Sequence, residues 1–104
     1  MKLKLAAALI AAMTIPAHAQ FYDGNALYAD CNSNSTFERA AALSYVAGVF
    51  DSMYIMSPGA MESVATINLG QAVDTVCLGL AQNPQLRHLP AAELSVAYLL
   101  VFLD

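Results

Sequence analysis

Apolar and polar positions alternate most regularly between Asn68 and Leu94. Leu69, Val73, Val76, Cys77 and Leu80 fall at i, i+4, i+7, i+8 and i+11, one face of a 3.6-residue period. Asn68 is a good N-cap, and Gln71 stands three residues later, where a capping-box side chain reaches back. Pro84 stops this helix, because proline disfavours the helical region for the residue before it. Pro90 suits the first position of the next helix, where its missing N–H is no loss. Between the two prolines, Gln85, Arg87 and His88 form a short polar tip.

The same reading extends in both directions. Asp23 caps a short helix through Leu27, Tyr28 and Cys31, and Asn32-Ser33-Asn34-Ser35 breaks it. Ser35 and Glu38 are spaced as a capping box and open the longest helix, to about Met56. Phe37, Ala41, Tyr45, Gly48 and Ile55 lie along one side of it; Leu43, Val46, Phe50 and Met53 lie along another. So wide an apolar surface predicts a central helix touched by several neighbours. Gly48 costs about 1 kcal/mol against Ala in mid-helix, so it is expected to admit another helix closely. Asp51 is the one charge in that helix's second half and is expected in solvent. Ser57 to Ile67 is a connector with a Pro58-Gly59 turn and an exposed Glu62. The last helix runs from Pro90 to about Leu103, apolar on nearly every side, with Glu93, Ser95 and Tyr98 as polar relief. Either other helices wrap it or a second copy covers it. No strand pattern or repeat occurs. The expected fold is all-α, a small bundle of about four helices.

The N-terminus reads differently. Lys2 and Lys4 precede an apolar run from Leu5 to Ile15, followed by Pro16-Ala17-His18-Ala19. This is the three-part pattern of a secretory signal peptide over residues 1–19, with cleavage expected before Gln20. The run is short for a membrane span. The periplasm is the expected destination, and residues 20–104 form the expected single helical domain. That part keeps only Arg39 and Arg87 against eight acids, a formal charge of −6. Such acidity argues against nucleic acid and anionic lipid, which need clustered bases. It suits a basic protein partner, although acidity also simply keeps a small protein soluble.

A domain this short often needs a staple. Cys31 and Cys77 are the only cysteines. In an oxidising compartment their pairing with each other ranks ahead of buried free thiols or an intermolecular bridge. Closing that loop would stabilise by about 4 kcal/mol in the chain-entropy model. Two separated cysteines and one histidine lack metal-ligand spacing, so no metal or cofactor is expected. Catalytic constellations are also missing. His88 is the one imidazole after cleavage, both cysteines lie on apolar faces, and the carboxylates are scattered. A binding role is favoured over an enzyme.

Several segments resemble a known family in order and spacing. Gly24, Leu27, Tyr28 and Cys31 are similar to an opening G-x-x-L-L-x-x-C. The run Tyr45-Val46-Ala47-Gly48-Val49-Phe50-Asp51 resembles Y-[IL]-x-G-V-x-D. Gly70-Gln71 with Val73 and Val76 resembles a G-Q-x-x-x-V-V-type helix. Asn83-Pro84, Leu86, His88, Pro90-Ala91-Ala92 and Leu94 resemble H-P-x-x-L-H-x-P-A-x-x-L. The family is the Rap/Tai group of type VI secretion amidase immunity proteins. Asn83 stands where the pattern has His, and two further cysteines of many members are absent. The resemblance implies a small helical periplasmic protein, often a homodimer. Such a protein occludes the active-site groove of a secreted peptidoglycan amidase. Protruding residues, Glu62 in the connector and Gln85, Arg87 and His88 at the turn, are the expected partner-binding positions. The alternative is a periplasmic holdase resembling the HdeA acid-stress chaperones, which usually carry more lysine.

Overall fold

A computed structural model describes residues 22–62 and 67–103 of the chain. The expected signal segment, residues 1–19, lies outside the described residues. The described elements are helical apart from one antiparallel bridge between Asp23 and Pro90. Helix α1 spans Gly24–Cys31, α2 Thr36–Met56, the one-turn α3 Pro58–Met61, α4 Leu69–Gln82 and α5 Ala91–Leu99. A 3-10 turn, Pro84–Leu86, joins α4 to α5, and a second, Leu100–Leu103, follows α5. The fold is therefore an all-α bundle of four principal helices.

Local signals set most boundaries. Asp23 Oδ1 accepts from Ala26 N at 2.9 Å and starts α1. Asn68 and Gln71 form the full capping box of α4: Gln71 N donates to Asn68 Oδ1 at 2.8 Å and Asn68 N to Gln71 Oε1 at 3.1 Å. The box at α2 is only half made. Ser35 Oγ accepts from Glu38 N at 3.3 Å, but Glu38 accepts from the Ser33 hydroxyl instead of reaching back. Ser33 Oγ takes over the Ser35 N–H at 3.0 Å, so the polar loop does what the glutamate was expected to do. Pro90 is the N-cap of α5 rather than its first helical residue.

As expected, α2 touches every other helix, but the most deeply buried helix is α5. It packs against α1, α2 and α4, and Ala91, Glu93, Leu94, Ser95, Val96 and Leu99 are all buried. Its neighbours within one chain thus cover much of α5, whereas Val101 beyond its end is 61 % exposed. Glu93 and Ser95, expected as polar relief, are 7 % and 0 % exposed. Three packed neighbours leave α5 only a narrow half-buried side, at Ala92, Ala97 and Tyr98, and Glu93 and Ser95 do not lie on it.

Helix α2 also touches every other helix, but one side faces out. Ala42, Val46 and Met53 are its buried residues, whereas Phe37 is 81 % and Ile55 79 % exposed. The Phe37–Ile55 side is therefore not core. Gly48 has no atom within 4 Å of where a Cβ would stand, so no helix approaches it. The close approaches occur elsewhere. A Cβ on Gly24 would lie 2.8 Å from the Arg87 carbonyl oxygen, and one on Gly79 would lie 2.6 Å from the Tyr98 ring. Helix α4 is turned slightly from the expected face: Ala72, Val76 and Leu80 are buried, while Leu69 is at the surface.

Candidate partner-binding surface

Cys31 and Cys77 form a disulfide, with Cα atoms 5.9 Å apart, joining the end of α1 to α4. At the other end of α1, the chain from Asn83 to Pro90 is tied to its start. Gly24 N donates to Leu89 O at 2.9 Å, Asn25 N to Arg87 O at 2.8 Å, and Ala91 N to Tyr22 O at 2.9 Å. These bonds satisfy donors at two helix beginnings that have no partner within their own helix. The expected free tip is thus a latched turn. Only part of it is presented outward.

The three candidate residues of this turn divide. Gln85 and His88 are exposed. Arg87 folds back. Its Nε donates to Leu80 O at 2.7 Å and its Nη2 to Ala81 O at 3.2 Å. Its guanidinium carbon lies 3.6 Å from the centre of the Tyr28 ring. A cation at a helix C-terminus meets the orphan carbonyls and the negative end of the macrodipole. The ring face below adds a cation–π contact. Arg87, expected to protrude toward a partner, is instead an internal cap held by the α4 carbonyls and Tyr28. Asn83 supplements the cap, its Nδ2 donating to Gly79 O at 2.9 Å. Glu62 is exposed at the end of α3, on a different part of the chain from the turn. The rest of the connector, residues 63–66, lies outside the described residues.

Beneath the turn, polar groups are enclosed. Tyr98 packs on Gly79, and its buried hydroxyl faces Asn83 and Arg87 without completing a hydrogen bond. Burial pushes its ionisation above the ordinary tyrosine value, outweighing the opposing pull of those two neighbours. Burial also raises the Glu93 carboxyl, whose Oε2 has no hydrogen-bond partner among the described residues. Tyr22 is raised further, first by burial and then by donating to Asp30. Its ring centre is 4.8 Å from that of Tyr45, whose ionisation burial also raises.

Two open grooves flank α2, and sequence reasoning missed both. One, of about 440 Å³, lies between α2 and α5 and includes Tyr45, Gly48, Val49, Met53 and Val96. The other, of about 350 Å³, lies between α2 and the start of α4. The available signal was the outward stripe of α2. Phe37, Ala41, Ser44, Gly48 and Ile55 are small or apolar where a solvent-facing stripe is usually charged. Such exposed apolar surface marks interaction sites. Among the described residues no three His, Cys, Asp or Glu side chains gather as a metal site, and no helix is long and apolar enough to cross a membrane.

The described residues thus form a stapled helical domain with a latched, partly exposed turn and apolar grooves. The model of the family described as Rap1a immunity proteins matches residues 23–100, from the N-cap of α1 to the end of α5, and the chain belongs to this family. No curated protein and no solved structure matches the chain. Membership makes it an immunity protein whose partner is a secreted effector protein, in a family that is generally non-enzymatic.

Proposed function

We propose that the chain is exported through residues 1–19 and neutralises a type VI secreted peptidoglycan amidase in the periplasm. The family match over residues 23–100 carries this reading. The resemblance of its segments to amidase immunity proteins points to the effector class. Neutralisation is by occlusion: a rigid surface fills the groove that otherwise takes the cell-wall peptide. No bond is made or broken, so the inhibitor needs no nucleophile or base. Gln85 and His88 on the latched turn, with Glu62 beside α3, are the residues that enter or rim the cleft. Arg87 acts by holding the turn in shape. A preformed turn binds with less ordering entropy than a free loop.

The test uses residues 20–104 and a panel of purified type VI peptidoglycan amidases. One amidase is expected to bind tightly and to lose hydrolysis of peptidoglycan fragments in proportion to the complex formed. Gln85→Ala with His88→Ala is expected to weaken that binding about 100-fold, as for a contact centre. Failure to bind any amidase, together with capture of unfolded clients on acidification, would overturn the reading in favour of a holdase. Fractionation of cells expressing the full chain checks its periplasmic placement.

A further inference from the structure

The groove between α2 and the start of α4 has a chemistry that the turn does not share. Its walls are Ala47 and Phe50 of α2 with Ile67, Leu69 and Ala72, and the polar Asp51 and Asn68 lie among them. Asp51 is exposed and makes no hydrogen bond or ion pair with a described residue. The described chain has no cation to give it. Arg87 caps α4 and stacks on Tyr28. Arg39 is twelve residues back along α2, about 18 Å at the helical rise, and donates to Ser33 O at 2.8 Å.

An anion does not fit this groove. Asp51 repels it, and the Asn68 side chain already stands over the α4 N-terminus, accepting from Gln71 N at 2.8 Å. A purely apolar group would leave the carboxylate facing dry surface, which is costly. A lysine or arginine side chain matches both parts, its aliphatic stem on the apolar walls and its charged head on Asp51. We propose that this groove is a second docking site for the effector and takes an Arg or Lys side chain from its surface. The formal charge of −6 over residues 20–104 favours the approach of a partner basic at this point.

The proposal rests on the immunity reading, and its test separates the two. The amidase bound by the wild-type protein is the probe. Asp51→Asn is expected to weaken binding about tenfold with a lower association rate and a smaller salt dependence, and Asp51→Lys about 100-fold. The melting temperature stays unchanged, because Asp51 touches nothing that holds the fold. Asp74→Lys is the control: it is another exposed acid, on α4 and outside the groove. A loss confined to Asp51, and recovered with Asp51→Lys by reversing one Arg or Lys of the amidase, supports the site. Equal losses at Asp51 and Asp74, or none at either, overturn it while leaving the immunity reading intact. So does a homodimer in light scattering that Asp51→Lys dissociates, which would make the groove a seam between copies. If the wild type binds no amidase, the function proposed above falls and this docking site falls with it.

Discussion

Gly24 and Gly48 mark two unlike regions of one small molecule. Around Gly24 the backbone is closed on itself: Leu94 and Arg87 stand where a side chain would go, and three backbone hydrogen bonds lie near. Around Gly48 there is open space, flanked by grooves and by the exposed Ile55 and Met56. The two regions share composition, small residues among apolar ones, yet one is a closure and the other a surface. The closed region orders the backbone, and the open region leaves side chains of α2 in solvent. The closed end fixes the turn in place. The open side of α2 leaves apolar area in water, which a fold serving only itself would cover.

The largest break in this contrast is at the staple. Replacing Cys31 and Cys77 by Ser together should cost about 4 kcal/mol, since the bridge spans 46 positions of chain. Chemical denaturation of the oxidised and double-serine proteins reads the difference directly. A smaller change follows at the closure itself. Gly24→Ala should cost about 1–3 kcal/mol, because its Cβ would meet Arg87 backbone atoms that cannot rotate away. At the open region the sign reverses: Gly48→Ala should stabilise by about 1 kcal/mol, as helix propensity improves and nothing is struck. Equal and opposite shifts in melting temperature for the two glycines would sharpen the comparison. A destabilised Gly48→Ala would break it.

The finest test is a slope with pH. Glu93 ionises at its ordinary value in the unfolded chain but only at a higher pH when buried. The folded state therefore holds the proton more strongly, and stability falls as pH rises between those two values. Below the unfolded value both states are protonated and nothing is lost. Glu93→Gln should remove this slope, raising the melting temperature near pH 7 and leaving it little changed near about pH 4. A wild-type melting temperature flat across that range would show that Glu93 is not the enclosed group described above.

Much of the scaffold was legible along the chain because the interactions that make it span only a few residues. The Asn68–Gln71 box, the Asp23 cap, the stop at Pro84 and the end of α2 at Met56 all follow from short spacings. The disulfide followed from having only two cysteines. The candidate surface was less legible. Residues Gln85, Arg87 and His88 look alike as a polar tip, and only the arrival of Tyr28 turns Arg87 inward.

What the sequence alone determined about this protein was its helices, their caps, the staple and the family resemblance. These rest on local hydrogen bonding, on count and on order. Only the tertiary structure decided which side of α2 faces water, that α5 is the most buried helix and that Glu93 and Ser95 lie inside. An apolar-all-round helix carries no preference for either side in its own pattern, so the choice falls to the packing of its neighbours.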